Sequence, residues 1–157
     1  MVTRMKVCLG GTFYPLHKGH KTLLRKAFQV AGLKGSVFIG VTSTSMAKKK
    51  KEIASFESRK QSIEQFLVKE NVILQATIQP LFNKFGPTLN GDFDAIVVSP
   101  ETQSIAEEIN RKRKFLGKKP LQIIVIPFVL SEDRKPISSS RIRRKEIDEN
   151  GIMLKQE

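Results

Sequence analysis

The 157-residue sequence predicts an α/β fold, a doubly wound sheet of five parallel strands with helices on both faces. Three observations predict it. Short, continuous runs of β-branched and apolar residues recur along the chain, as strands buried on both faces require. Between them lie segments whose apolar residues return every three or four positions, the spacing of helices that cover such a sheet. Glycine, serine or proline punctuates the junctions. A chain of this length fits one domain, residues 1–157, and is long enough to bury a core without disulfides or a structural metal.

Met5 to Leu9 reads as the first strand, ending at Gly10-Gly11. From His17 to Ala31 the spacing of Leu24, Ala27, Phe28 and Ala31 marks one helical face, and Gly32 ends it. Ser36 to Thr42 is a second strand. A lysine run, Lys48 to Lys51, follows; Ser55 then caps a helix over Phe56 to Lys69 with Ile63, Phe66 and Leu67 inward. Asn71 to Ile78 is expected as the third strand, and Pro80 to Gly91 as a short helix followed by a loop. Asp94 to Ser99 makes the fourth strand, and Ser99-Pro100-Glu101 opens a helix with a cap serine, a first-turn proline and an acidic residue. That helix is expected to run to Leu116 and stop at Gly117; Leu121 to Pro127 is the fifth strand. A polar segment then leads to a last helix around Ile137 to Arg144. No internal repeat or long linker interrupts the pattern.

Lysine and arginine total 28 against 15 acidic residues, a formal charge of +13, which favours anionic partners: nucleic acid, acidic lipid or small phosphorylated molecules. Tryptophan is absent, Tyr14 is the only tyrosine, and most of the ten phenylalanines sit in core-like patterns, which weakens the nucleic-acid reading. Met1 to Lys6 lacks signal-peptide form, and no apolar stretch approaches the ~20 residues of a membrane span. The single cysteine, Cys8, lies in an apolar run and is expected to be a buried thiol. A soluble protein of the reducing cytoplasm is the expectation, with no membrane partner. The pattern specifies no oligomeric state; a monomer is compatible with it.

In a doubly wound sheet, ligands bind at the carboxyl ends of the strands where the strand order reverses. Gly10-Gly11-Thr12-Phe13-Tyr14-Pro15-Leu16-His17-Lys18-Gly19-His20 falls there and holds the chain's only histidines. Gly10 and Gly11 allow a phosphate to reach main-chain amides, and the Thr12 hydroxyl and amide can bond it. His17 and His20, three apart, lie on one side of a helix start and do not fit the apolar stripe of Leu24 and Phe28, and imidazoles donate to phosphate oxygens as charge builds. Gly19 is expected to let a ligand lie between the two rings. With no cysteine or carboxylate in that turn, a zinc site is disfavoured. One lysine of Lys48 to Lys51 is expected to reach a reacting phosphate, spacing alone not saying which. Ser138, Ser139 and Ser140, followed by Arg141, Arg143 and Arg144, form a second helix start with hydroxyls and amides for a phosphate. Two such starts at one sheet edge suit a polyphosphate. No Walker lysine motif or three-glycine dinucleotide pattern is present, and the adjacent histidine pair suggests nucleotide chemistry at the α-phosphate instead.

Gly11-Thr12-Phe13 with His17-Lys18-Gly19-His20, and Ile137-Ser138-Ser139-Ser140-Arg141-Ile142-Arg143, resemble the Rossmann-like nucleotidyltransferase superfamily marked by a histidine, any residue, glycine, histidine motif and a late serine-rich signature. Gly40-Val41-Thr42-Ser43, Phe56-Glu57-Ser58-Arg59, Val97-Val98-Ser99-Pro100-Glu101-Thr102 and Pro136-Ile137-Ser138-Ser139 bring the likeness closer to the archaeal-type phosphopantetheine adenylyltransferases. The resemblance implies AMP transfer from ATP to 4'-phosphopantetheine in coenzyme A biosynthesis, giving dephospho-coenzyme A and pyrophosphate. It implies that His17 and His20 bind ATP phosphates, with His20 on the α-phosphate; that Gly10, Gly11, Gly19 and Glu101 lie at the nucleotide; and that Ser138 to Arg141 hold the β- and γ-phosphates. Thr12, with Gly11 and Phe13, would meet the acceptor, and Lys50 or Lys51 would bridge acceptor and donor phosphates. Where relatives often carry an aspartate after the second strand, this chain has Thr44 and Ser45, so binding by that loop does not carry over.

The implied reaction is in-line attack by an acceptor phosphate oxygen on the α-phosphorus, with Mg²⁺ held mainly by ATP and not by protein side chains. Alternatives are adenylyl transfer to nicotinamide mononucleotide, cytidylyl transfer to a phosphorylated alcohol, or a non-enzymatic basic nucleic-acid-binding module.

Overall fold

A computed structural model describes residues 4–47 and 53–155. Its centre is one five-stranded parallel sheet: β1 (Lys6–Gly11), β2 (Ser36–Thr42), β3 (Ala76–Leu81), β4 (Ala95–Val98) and β5 (Gln122–Val125), in the order β3-β2-β1-β4-β5. The chain winds outward from β1 to one edge and then from β4 to the other, so the order reverses between β1 and β4. This is the doubly wound sheet that the sequence predicts.

Side-chain alternation along the strands assigns the helices to faces. Val7, Leu9, Val37, Ile39, Ala95 and Val97 point to one side, where Leu24, Ala27 and Phe28 of α1 (Lys18–Ala31) close over them. Ile63, Phe66 and Leu67 bring in the helix Phe56–Lys69 on that same side. Cys8, Ile96 and Val98 point to the other, under Ala106 and Ile109 of the helix Gln103–Phe115. Cys8 is 1% exposed and burial pushes its thiol up to about 12, so it is an inert core residue. Each fully buried leucine such as Leu24 contributes on the order of 2–5 kcal/mol by the cost of truncating it to alanine.

A four-residue helix absent from the sequence expectations, α2 (Thr44–Ala47), follows β2, and Ser43 Oγ accepts from the Met46 amide at 3.1 Å to start it. The helix Phe56–Lys69 is therefore α3, with Ser55 Oγ capping the Ser58 amide at 3.2 Å. Helix α4 is Gln103–Phe115, and α5 is Ser139–Arg143.

Several boundaries differ from expectation. The third strand starts at Ala76 instead of Asn71, because Asn71 turns the chain at φ 59° and Ile73–Gln75 form a 3₁₀ turn. Gln75 Nε2 there donates to the carbonyls of Gly32 (2.7 Å) and Gly35 (3.0 Å) and ties the turn to the end of α1. The same strand runs on through Pro80 to Leu81, leaving only a 3₁₀ turn at Gly86–Thr88 in place of the expected helix. Because β3 is an edge strand, a residue without an N–H breaks no ladder on its open side. Another shift is at α4: Ser99 to Thr102 make a turn, with the Thr102 amide donating to the Ser99 carbonyl at 3.1 Å, and the helix begins after Thr102. Ser99 is therefore not the helix cap. Strand β5 is also shorter than the expected Leu121–Pro127. No helix among the described residues is long and apolar enough to cross a membrane.

Candidate active site

At the carboxyl edge of the sheet, where the strand order reverses, a cleft of about 500 Å³ opens. Gly10 to Tyr14 at the end of β1 and just beyond it, His17, Gly19 and His20 at the start of α1, and Ser99, Glu101 and Thr102 after β4 line one part of it. Ser138, Ser139, Ser140 and Arg143 close the far side. The two segments singled out by sequence, about 120 residues apart in the chain, thus share one cavity. A second, apolar recess of about 150 Å³ adjoins it, with Gly10, Gly11 and Thr102 common to both. Its walls include Leu81, Phe85, Ile96, Ile105 and Ile109.

The histidines build the start of α1 as well as facing the cleft. His17 is the N-cap: its Nδ1 accepts from the amides of Gly19 (3.0 Å) and His20 (3.3 Å). His20 answers, its Nδ1 accepting from the His17 amide at 3.2 Å, a reciprocal capping box made of two imidazoles. The Lys18 amide donates to the Glu149 carbonyl at 2.9 Å. The first-turn amides of α1 are therefore occupied, and phosphate contact from this helix start falls to the rings. A ring whose Nδ1 accepts carries its proton, when neutral, on Nε2. Burial lowers His17 to about 4. Burial, then the neighbouring His17, lowers His20 to about 3 against the opposing pull of the Pro15 carbonyl. Both imidazoles are thus neutral at pH 7, each with an Nε2–H to donate.

The rings stack on each other with centroids 3.6 Å apart and planes 18° from parallel, so no ligand lies between them. Glycine at position 19 instead makes room for the cap: a Cβ there would stand 2.9 Å from His17 Cε1. Phe13 is 1% exposed, its ring tilted against His20 at 5.2 Å, so it supports the histidine from below and offers a ligand no aromatic face. It takes a φ of 54°, a left-handed conformation costing a bulky residue roughly 1–3 kcal/mol, which burial of the ring offsets.

At the second segment, Ser138 caps α5 by accepting from the Arg141 amide at 3.3 Å. The amides of Ser139 and Ser140 meet no protein acceptor among the described residues. Arg141, expected to reach the phosphates, does not line the cleft. Its guanidinium is tied to Asp133, to Glu146 Oε2 at 3.0 Å, to Ser131 Oγ at 2.9 Å and to the Pro136 carbonyl at 3.1 Å. The Ser131 hydroxyl first, and Arg141 with it, hold the Asp133 carboxyl down to about 2. Arg141 is a clamp for the 131–146 segment, and the arginine that lines the cleft is Arg143. The carboxylates at 133 and 146 were the signal in the sequence that one arginine would be consumed locally. Lys50 and Lys51 lie outside the described residues.

Glu101 is the only carboxylate among the described residues lining the cleft, and no three histidine, cysteine, aspartate or glutamate side chains among the described residues gather as a metal site.

A parallel sheet with this order, a glycine turn into a two-histidine helix start and a serine-rich segment opposite define a nucleotidyltransferase-type site. The chain matches the cytidylyltransferase-like family over residues 8–145 and belongs to that family. It is 43% identical over 152 residues to the phosphopantetheine adenylyltransferase of Methanosarcina mazei, covering 96% of this chain and 98% of that protein. It is 42% identical over 161 residues to the phosphopantetheine adenylyltransferase of Pyrococcus abyssi, covering all of both chains, 100% of each. Among solved structures, a crystal structure of an Archaeoglobus fulgidus protein of unknown function superposes with a TM-score of 0.71 at 39% identity, covering 78% of this chain and 89% of that one.

Proposed function

We propose that this protein transfers the adenylyl group of ATP to 4'-phosphopantetheine, giving dephospho-coenzyme A and pyrophosphate, as a cytoplasmic enzyme of coenzyme A biosynthesis. One observation carries the reading: a cleft lined by histidines, serines and an arginine meets an apolar recess at Gly10 and Gly11. The cleft suits a nucleoside triphosphate, and the recess suits an extended, weakly polar arm whose phosphate ends at the junction. The near full-length relatives carry that same activity in their names. Nicotinamide mononucleotide would bring a charged ring to apolar walls, an unfavourable desolvation.

In this reading an oxygen of the acceptor phosphate attacks the α-phosphorus as the bond to pyrophosphate breaks in line. The nucleophile is already ionised, so neither a protein nucleophile nor a general base is required. His17 and His20 donate Nε2–H bonds to the phosphate oxygens where charge grows, His20 to the α-phosphate. Thr12 meets the acceptor phosphate, while Ser138 to Ser140 and Arg143 hold the β- and γ-phosphates. Lys50 or Lys51 would bridge the two anions, as the family likeness implies. The donor set fits Mg²⁺ carried by ATP, since among the described residues the cleft offers hydroxyls, imidazoles and one carboxylate and no oxygen cage. Bound to the triphosphate, the ion would neutralise charge on the leaving pyrophosphate.

The test is pyrophosphate release with ATP, Mg²⁺ and 4'-phosphopantetheine, with the product identified by mass. Release that depends on both substrates is expected. Release only with nicotinamide mononucleotide, or only with CTP and a phosphorylated alcohol, replaces the reading with the corresponding alternative.

A further inference from the structure

Beneath the glycine turn lies a buried cation balanced by no carboxylate among the described residues. Arg59, in the first turn of α3, is 1% exposed. Its Nε donates to the Ala54 carbonyl at 2.9 Å, and its Nη1 donates to the Thr12 carbonyl and to Thr42 Oγ1, each at 3.1 Å. None of the ion pairs among the described residues includes it, and its Nη2 is buried without an acceptor there. An interior charge with no carboxylate beside it costs several kcal/mol, and among the described residues Arg59 is met only by carbonyl and hydroxyl oxygens. The arrangement becomes favourable when an anion arrives at the turn above it.

The hydrogen-bond directions say how that charge is delivered. A guanidinium has only N–H groups to donate, so Thr42 Oγ1 must accept from Arg59. The Thr42 proton is thereby turned toward Thr12 Oγ1, 3.2 Å away. Thr12 Oγ1, accepting that bond, is left to donate its own proton elsewhere. Thr12 lines the polar cleft and Thr42 lines the apolar recess, so the chain of donors runs through the wall where the two cavities meet.

We propose that Arg59 and Thr42 are positioning residues that aim the Thr12 hydroxyl proton at the acceptor's phosphate and so select a phosphorylated acceptor over its uncharged counterpart. This rests on the acceptor reading given above. Neither residue touches the ligand's phosphate; both act through Thr12.

Calorimetric titration with 4'-phosphopantetheine, with pantetheine lacking the phosphate, and with ATP tests the relay without requiring turnover. In Thr42→Val, which keeps the shape and removes the hydroxyl, the preference for phosphorylated over unphosphorylated ligand is expected to fall about tenfold, the effect of one misdirected bond to a charged group. ATP affinity should stay within twofold, and Thr42→Ser should restore the preference. Arg59→Lys should show an intermediate loss; if it fails to fold, the two Thr42 variants decide. Equal weakening toward all three ligands, an unchanged preference in Thr42→Val, or a wild-type protein indifferent to the phosphate overturns the relay. If the wild type binds both substrates with the expected preference yet releases no pyrophosphate, the proposed function fails while the relay stands.

Discussion

Replacing His17 separates the cap it makes from the phosphate contact that the proposed mechanism gives the same imidazole. Its Nδ1 caps α1 through the Gly19 and His20 amides, at 3.0 and 3.3 Å, while its Nε2–H remains for a phosphate. Asparagine places Oδ1 where Nδ1 stood and keeps the cap, but nothing of it reaches the Nε2 position. Alanine removes both. His17→Ala should therefore lose about 1 kcal/mol of stability, the usual effect of deleting an N-cap, and His17→Asn only a few tenths. Both should lose a donor preorganised toward developing phosphate charge, on the order of 10²-fold in kcat/KM or about 3 kcal/mol. Urea unfolding reads the first quantity, and pyrophosphate release under subsaturating ATP reads the second. An asparagine variant with kcat/KM within threefold of wild type would show that the ring serves only as a cap. Equal stability of the alanine and asparagine variants would refute the capping half of the reasoning.

His20→Ala should depress kcat far more than it raises the ATP KM, since in the proposed mechanism its bond to the α-phosphate strengthens as charge develops there; wild-type turnover would remove that role. Arg141→Met should lower the unfolding midpoint well beyond Arg143→Met, because it strands Asp133 and Glu146, whereas Arg143→Met should raise the ATP KM more; the opposite pattern would return the phosphate role to Arg141. Protein stability should fall on acidification between pH 7 and 5. The folded-state values of His17 and His20, about 4 and 3, lie below the ordinary 6.5, so the unfolded chain binds protons first. Their contribution is whole above about pH 6.5 and lost as pH falls toward 3, amounting to roughly 2 kcal/mol or less per ring over those two pH units. A His17→Asn, His20→Asn double variant should show a flatter stability profile across that window, and an unchanged slope would contradict the assignment of both rings as buried and neutral.

The strands and helices were legible because burial writes its own period into the chain. The span of β2, Ser36–Thr42, and that of α3 with its Ser55 cap follow from β-branched continuity and a capping hydroxyl, which are local properties. Less local elements were read less well. Whether Pro80 ends a strand depends on that strand lying at the sheet's edge, and whether Ser99 caps a helix depends on Thr102 competing for the turn.

For the site, the sequence alone singled out the glycine-histidine turn and the serine-arginine segment as the two that could meet an anion, because both combine a helix start with polar side chains at the carboxyl edge of the sheet. Tertiary structure decided how each residue serves. It joined segments about 120 residues apart into one cleft, filled the amides of α1 with imidazole nitrogens, and turned Phe13 inward. It also consumed Arg141 in a clamp, presented Arg143, and set Arg59, without an ion-pair partner among the described residues, behind Thr12. The reason is physical: a side chain's chemistry is written in its type, but its partners, burial and free proton depend on groups brought near by the fold from elsewhere in the chain.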